Sequence, residues 1–192
     1  MILGAAGKRA MASRTVERYP DALIWMHWIM AVLVVSTIPI GWVMGDLEPG
    51  PAQDRLYHLH RSIGVTVLAL ACLRLALRLR LGAPPPEPSL EPWQRTASIA
   101  VHHGLYVLIF LVPLLGWAGT SAFGAPIIVW GLFELWPILP RSEALSAVLL
   151  GAHGFLASAT AGLALVHIGA ALWHGFVRGD GVLQRMLPGG GA

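Results

Sequence analysis

The sequence predicts an all-α integral membrane protein built as a bundle of four transmembrane helices. Hydrophobic residues make up 56% of its 192 residues and charged residues only 12%, which is the balance of a membrane protein. Four apolar stretches are each long enough to supply the roughly 20 helical residues that cross a bilayer core. The formal net charge of +3 is too small and too unevenly spread to indicate a nucleic-acid partner. The expected surroundings of the chain are therefore a lipid bilayer.

The elements follow one another with readable boundaries. Residues 1–18 are expected to form a cytoplasmic tail, after which Pro20 and Asp21 open the first span. The linker GAPPPEPSLEP is rich in proline, which predicts an extended segment in water rather than a helix. Pro113 lies inside the third span and is expected to kink it. The predicted spans are about 22–44, 56–79, 94–121 and 142–176, within one domain of residues 19–188 that is followed by a flexible end at 189–192.

Residues 124–140, GAPIIVWGLFELWPILP, are apolar but do not form a fifth span. Glycine and proline interrupt them, and they carry Glu134. They are also shorter than the roughly 20 residues that a crossing helix needs. We expect this segment to lie at the membrane interface or to cover one end of the bundle.

The orientation of the bundle follows from its basic residues. Ten of the thirteen Lys and Arg residues fall in the tail, around the proline-rich linker or near the C-terminus, and only Arg55, Arg61 and Arg141 fall on the other side. Basic residues concentrate on the cytoplasmic side of membrane proteins. Both termini are therefore predicted to be cytoplasmic.

Histidines in the apolar spans are the candidate functional residues. On an α-helix, His153 and His167 lie within about 40° of one face and roughly 21 Å apart, so that each approaches one membrane surface. Ionisable side chains at membrane depth usually face the bundle interior, where they bind a metal, relay protons or pair. On these two residues alone, hydrogen-bonded histidines without a cofactor remain the alternative.

Two other spans supply histidines at matching depths. Span one enters from the cytoplasm and places His27 near the inner surface, whereas span two enters from outside and places His60 near the outer surface. His27 is thus level with His167, and His60 with His153. Two imidazoles facing each other fit the axial ligation of a b-type haem, and the chain has no C-x-x-C-H motif for covalent attachment. The histidine depths therefore predict two haem b groups, one above the other.

The motifs, taken in order, resemble the bacterial cytochrome b561 family, whose members are di-haem four-helix proteins related to the cytochrome b subunits of formate dehydrogenases and hydrogenases. They are H-W at His27, H-x-x-x-G at His60, the run LRLALRLR, LVPLLG in span three, and H-x13-H-x6-H followed by RMLP. The resemblance covers about residues 19–188. It implies a multi-pass protein of the bacterial inner membrane, with His27 and His167 as ligands of the inner haem iron and His60 and His153 as ligands of the outer one.

Two further histidines acquire expected roles from the resemblance. In the superoxide-oxidising member of the family, the histidine matching His174 lines a ubiquinone site, and imidazole can hydrogen-bond a quinone carbonyl and exchange a proton. The alternative is that His174 faces lipid headgroups. The serine that this quinone site has two residues before the first ligand is Trp25 here. His102 matches a family histidine that we expect to bond a haem propionate or the quinone, and it competes with His27 as a ligand.

Arginines and glycines near these depths are candidates for further haem contacts. Arg74 and Arg78 are expected near the inner propionates and Arg61 near the outer ones, because propionates are anionic. Control of topology by basic residues is the alternative for Arg78. The glycines that would let a macrocycle approach a helix backbone closely are Gly64, Gly154 and Gly162.

Three functions are compatible with the sequence. The first is a superoxide:ubiquinone type of oxidoreductase, which passes electrons through two haems. The second is an electron-transfer subunit that docks to a periplasmic or membrane redox protein and has no superoxide site of its own. The third, a haem-free structural subunit, is disfavoured by the four level histidines. The outer segments carry a net charge of −2, three positive residues minus five negative ones, which does not favour an anionic donor; they are Arg55, Arg61, Arg141, Asp46, Glu48, Asp54, Glu134 and Glu143.

Overall fold

A computed structural model of the protein describes residues 17–189, so most of the predicted tail and the last three residues lie outside the described part. Four long helices dominate the fold, and a short two-stranded sheet lies between the last two. The elements are α1 (Asp21–Asp46), α2 (Pro51–Leu81), α3 (Pro92–Phe123), β1 (Ile127–Val129), β2 (Phe133–Leu135) and α4 (Glu143–Trp173), followed by a π-helical turn (His174–Arg178) and a short 3-10 turn (Leu183–Met186).

Local sequence signals set where the helices begin and end. Glu91 and Gln94 form a reciprocal capping box at the start of α3, which satisfies backbone N–H groups that have no partner inside the helix. Gly124 ends the same helix with φ of 85°, a left-handed conformation that glycine adopts without strain. The Ser142 side chain accepts a hydrogen bond from the Leu145 amide and caps α4.

The prediction of a four-helix membrane fold is confirmed. All four helices are long and apolar enough to cross a bilayer, with lengths of 26 to 36 residues when the π-helical turn is counted with α4. Pro39 and Pro113 both lie inside helices rather than ending them. Many apolar side chains face outward, as lipid favours; they include Val32, Leu79, Leu165 and Phe176.

Hydrogen bonds between segments define the two ends of the bundle. At one end, which we call the terminal end, the Arg185 guanidinium donates to the backbone carbonyls of Glu17 and Pro85. This joins the start of α1, the linker after α2 and the chain beyond α4. At the opposite end, which we call the hairpin end, Gln53 of α2 donates to the carbonyl of Met44 in α1. Helices α1 to α4 therefore alternate in direction, and each packs on the next along the chain.

Residues 124–140 contain a β-hairpin that was not predicted from the sequence. Strands β1 and β2 pair antiparallel, and the turn uses left-handed backbone at Trp130 and Gly131. The hairpin is fixed to α2, because Ser62 donates to the Ile128 carbonyl and accepts from the Trp130 amide. The strands form because the proline and glycine residues prevent a helix, while alternate apolar side chains of β1 are buried.

Candidate cofactor sites in the bundle core

Histidines from different helices meet in pairs at two levels of the bundle. The ring centroids of His27 and His167 are 6.0 Å apart, and those of His60 and His153 are 5.8 Å apart. Two imidazoles on opposite sides of one metal ion have centroids roughly 6 Å apart, given nitrogen–metal bonds of about 2.0–2.1 Å. We call His27 and His167 the terminal-side pair, and His60 and His153 the hairpin-side pair. Their spacing suits an ion with two axial imidazole ligands.

Backbone carbonyls of neighbouring helices hold both rings of the hairpin-side pair. The Nδ1 atom of His60 lies 3.2 Å from the Thr37 carbonyl oxygen and 3.2 Å from the Thr37 hydroxyl. The Nδ1 atom of His153 lies 2.8 Å from the Val112 carbonyl. Since a carbonyl only accepts, each Nδ1 carries the proton, and Nε2 is the nitrogen that can bind a metal. Metal-binding histidines usually have such a partner on the other nitrogen.

Glycines make room for these two rings at equivalent positions. Gly41 lies four residues after Thr37, and Gly116 lies four residues after Val112, so each glycine is one helical turn beyond the carbonyl that holds the ring. A Cβ atom at Gly41 would lie 3.0 Å from the Cε1 atom of His60, and one at Gly116 would lie 3.0 Å from the Nδ1 atom of His153. The sequence analysis did not identify either glycine. Each glycine lies four residues after the residue whose carbonyl holds the ring. The sequence alone does not show which carbonyls face a histidine, so this spacing could not be recognised from it.

A cavity of about 780 Å³, including the part that is open to the outside of the bundle, adjoins the hairpin-side pair. Apolar side chains provide most of its walls, and cofactor cavities of this size and character are common. Gly64 and Gly154 line it, and a Cβ atom on either would meet no atom within 4 Å. Gly162 does not line this cavity, but a Cβ atom there would also meet no atom within 4 Å.

The terminal-side pair differs because a third imidazole approaches it. The ring centroid of His102 lies 5.1 Å from that of His167, which is closer than His27 lies. The Nδ1–H group of His102 donates to the carbonyl of Ser98 in its own helix, at 2.6 Å. Within residues 17–189, neither His27 nor His167 has a hydrogen bond on Nδ1. The geometry therefore leaves both His27 and His102 as partners for His167.

The candidate propionate-binding arginines occupy the two predicted ends. At the terminal end, Arg74 donates to the Leu23 carbonyl at 2.6 Å, one turn before His27, and Arg78 lies over the Tyr19 ring. A guanidinium has five N–H donors, so one bond to a carbonyl does not exhaust Arg74. At the hairpin end, Arg61 donates to the Pro126 carbonyl at 3.2 Å and lies over the Tyr57 ring; these contacts fasten it to the chain leading into β1.

His174 lies at the terminal end and directly continues α4, because its amide still donates to the Ala170 carbonyl four residues earlier. The chain is π-helical from His174 to Arg178. The side chain is buried, with a residue exposure of 9%. Its Nδ1 atom lies 2.5 Å from the carboxylate of Asp180, a residue that the sequence analysis did not select. Trp25, at the position of the family's serine, is largely exposed.

The two sites fit a planar macrocycle better than a bare metal ion. Among residues 17–189, no three His, Cys, Asp or Glu side chains form a cluster suited to a metal ion. The two imidazoles at each level would supply the protein's ligands to a haem iron, which needs no further side chains because the macrocycle supplies the rest. A membrane-spanning bundle with such paired histidines defines a membrane cytochrome of the b type.

The family of this cytochrome follows from its relatives. The chain belongs to the prokaryotic cytochrome b561 family, whose model matches residues 18–189. It is 32% identical to "Cytochrome b561 homolog 2" of Escherichia coli (strain K12) over 179 residues, which cover 91% of this chain and 94% of the relative. It is 29% identical to "Probable superoxide oxidase CybB" of Yersinia pestis over 179 residues, covering 90% and 97%. It is 30% identical to "Cytochrome b562" of Cereibacter sphaeroides over 177 residues, covering 88% and 94%. The protein is therefore a multi-pass bacterial membrane protein of electron transfer, and its family implies haem b.

Proposed function

We propose that this protein holds two b haems and carries electrons through them from a donor at the hairpin end to ubiquinone at the terminal end. The observation that carries the proposal is the presence of two imidazole pairs at two levels of one membrane-spanning bundle. His60 and His153 hold the hairpin-side haem, and His27 and His167 hold the terminal-side haem. The hairpin end faces the periplasm and both termini face the cytoplasm of a bacterium, so the bilayer is its inner membrane.

The protein residues bind, orient and shield the haems. The haems supply reversible one-electron redox chemistry when bound. The carbonyls of Thr37 and Val112 fix the rings of His60 and His153 by accepting hydrogen bonds from their Nδ1–H groups. Arg74 and Arg78 offer cationic partners for the propionates at the terminal end. Arg61 offers the same at the hairpin end. The walls of the cavity are mostly apolar, which suits the ring of a haem.

His174 is the protein's contact to ubiquinone in this proposal. It lies at the terminal end, seven residues beyond His167, and its Nε2 atom has no hydrogen-bond partner among residues 17–189. An imidazole N–H group can donate to a quinone carbonyl and pass it a proton. Complete reduction of one quinone to quinol takes two electrons and two protons.

Superoxide is the donor that the resemblance favours. Two superoxide anions would each lose one electron and leave as O2, and the two electrons would reduce one quinone. The relative from Yersinia pestis is named a probable superoxide oxidase, at 29% identity. Arg61, close to the hairpin-side pair in sequence, is the cation that would attract an anion locally against the net charge of −2 at this end.

A second function has its own support. The hairpin exposes large apolar side chains, with exposures of 80% for Leu132 and 67% for Trp136, beside an acidic outer surface. Such a surface fits an electron-transfer subunit that receives electrons from a docked periplasmic or membrane redox protein. Aromatic side chains at a membrane interface are the other explanation for this exposure.

Purification and haem analysis test the core of the proposal. Pyridine haemochrome measured against protein mass should give two haem b per chain, and one per chain would contradict the two-site assignment. The isolated protein should then form quinol from a soluble ubiquinone analogue when superoxide is generated enzymatically. If both haems are present but superoxide does not reduce them, the electron-transfer subunit is the better function.

A change of His174 to Ala tests the quinone contact separately. Both haem spectra should stay unchanged, while reoxidation of the reduced haems by the soluble quinone should slow by roughly five- to a hundredfold, because one hydrogen bond is lost. The control is reduction of the haems from the donor side, which should be equally fast in both proteins. An unaltered reoxidation rate would assign His174 to another role.

A further inference from the structure

The chain beyond α4 turns back and buries one carboxylate under the helix. After the π-helical turn, Gly179 and Gly181 adopt left-handed backbone with φ of 60° and 87°, and Asp180 lies between them. The Asp180 side chain is 6% exposed. A buried carboxylate is costly unless hydrogen bonds or charges compensate it. Its partners therefore indicate why it lies there.

Two hydrogen bonds and one ion pair converge on this carboxylate. Its Oδ2 atom lies 2.5 Å from Nδ1 of His174 and 3.3 Å from Nε of Arg178, and its Oδ1 atom accepts from the Val182 amide at 3.2 Å. An ionised carboxylate is an acceptor on both oxygens, so it satisfies all three groups at once. An asparagine could not, because its NH2 group would face a donor on one side.

The carboxylate also determines which nitrogen of His174 is available. The Nδ1–H group donates its hydrogen bond to Asp180. Nε2 is therefore the nitrogen that can exchange a proton with another molecule. His60, His102 and His153 instead direct Nδ1 at backbone carbonyls. Among the histidines of residues 17–189, only His174 pairs with a carboxylate. A carboxylate holds an imidazole in one tautomer and orientation and balances the charge that appears when the ring takes a second proton.

We propose that Asp180 is a positioning residue for proton transfer by His174 to the electron acceptor, an inference that rests on the proposed contact of His174 with quinone. The protonated ring gives its Nε2 proton to a carbonyl oxygen of the acceptor, whose electrons arrive through the haems. The ring is then neutral, with its Nδ1 proton still held by Asp180. Water at the terminal end returns a proton to Nε2. A π-helical turn is a frequent feature of functional sites, and here it connects His174 to the returning chain that carries Asp180.

Arg178 keeps the carboxylate in place from the other side. Besides its bond to Asp180, its guanidinium donates to the Gln94 side chain and to the Ser89 carbonyl, at 3.0 and 3.3 Å. These bonds join the carboxylate to the start of α3. Gly175 allows the returning chain to approach, because a Cβ atom there would overlap a methyl group of Leu183.

The test is Asp180→Asn in the full-length protein, with both haems reduced and then reoxidised by a soluble ubiquinone analogue. We expect the maximal reoxidation rate to fall on the order of ten- to a hundredfold, with a smaller change in the quinone concentration for half-maximal rate. The haem spectra should stay unchanged. Asp180→Glu keeps the carboxylate and should recover part of the rate.

Arg185→Gln is the matched control for loosening of the C-terminal segment. Arg185 ties the same segment to Glu17 and Pro85, and among residues 17–189 its side chain forms no hydrogen bond with His174 or Asp180. The reoxidation rate of the Arg185→Gln variant should stay within about twofold of that of the unaltered protein, since this variant keeps the hydrogen bond on the His174 imidazole. A loss equal to that of Asp180→Asn would overturn the proposal, because loosening alone would then account for both.

A double variant separates this inference from the proposed function. If Asp180 acts through His174, adding Asp180→Asn to His174→Ala should slow the reaction no further. Two results would overturn the role of Asp180 and leave the quinone contact intact. One is that Asp180→Asn slows reoxidation equally with His174 and with His174→Ala. The other is that Asp180→Asn does not slow reoxidation when His174 is present. No loss from His174→Ala would overturn both. If Asp180→Asn does not assemble with haem, Asp180→Ser, which removes the opposed donors, replaces it under the same criteria.

Discussion

The hairpin-side pair and the terminal-side pair have nearly the same spacing but differ in how the rings are held. His60 and His153 each donate to a carbonyl of a neighbouring helix and each lie against a glycine. His27 and His167 have no such bond within the described residues, and a third imidazole lies beside them.

This difference shows how one bundle can build two unlike sites from the same residue type. Bonds to a rigid backbone leave the hairpin-side rings one orientation, which suits a site that only passes electrons. The terminal end also carries polar and charged side chains, among them Arg74, His102 and the pair of His174 with Asp180.

The largest expected effect is the loss of one haem from the hairpin side. His153→Ala or His60→Ala should reduce the haem content from two per chain to one, because each change removes one of the two imidazoles that face each other at this level. Pyridine haemochrome and the reduced-minus-oxidised spectrum measure the result. Loss of both haems would show that the two sites do not assemble independently.

The terminal side should respond unequally to two similar changes. His27→Ala should remove the terminal-side haem, whereas His102→Ala should retain it with a shifted reduction potential, because His102 loses only a neighbouring contact. Haem content and potentiometric titration measure both results. The opposite outcome, with the haem lost from His102→Ala and kept in His27→Ala, would make His102 the partner of His167 and correct the assignment.

A smaller effect is expected from adding one methyl group beside His60. Gly41→Ala should destabilise the protein with haem bound by about 1–3 kcal/mol, as overpacking does in a tight interior. Gly45→Ala, one turn further along α1, is the matched control because a Cβ atom there meets nothing within 4 Å. Thermal loss of haem absorbance compares them, and equal midpoints would contradict the close packing of the His60 ring.

The smallest expected effect concerns the second oxygen near His60. Thr37→Val removes the hydroxyl at 3.2 Å from Nδ1 and keeps the carbonyl. We expect a loss of about 0.5–1.5 kcal/mol in the stability of the hairpin-side site, the usual net value of one hydrogen bond. Denaturant titration followed at the haem absorbance measures it. A loss as large as that of the ligand variants would mean that the hydroxyl, and not the carbonyl, holds the ring.

The sequence by itself determined the number of spans and which histidines share a level. Membrane thickness and the rise per residue of an α-helix are constants, so the distance of His27, His60, His153 and His167 from the span ends decides their depth. The family motifs are likewise local and readable. The length of residues 124–140 likewise excluded them as a span. Their two strands could not be recognised from the sequence, because the hairpin is held by contacts with Ser62 of α2.

The tertiary structure decided everything that depends on how the helices are rotated against each other. Only packing brings Gly41 to His60 and Gly116 to His153, and only packing moves His102 closer to His167 than His27 lies. The return of the chain that buries Asp180 depends on a π-helical turn, for which the sequence has no simple signal. Depth along a helix is a local property of the chain, whereas the direction of a side chain across the bundle is set by long-range contacts.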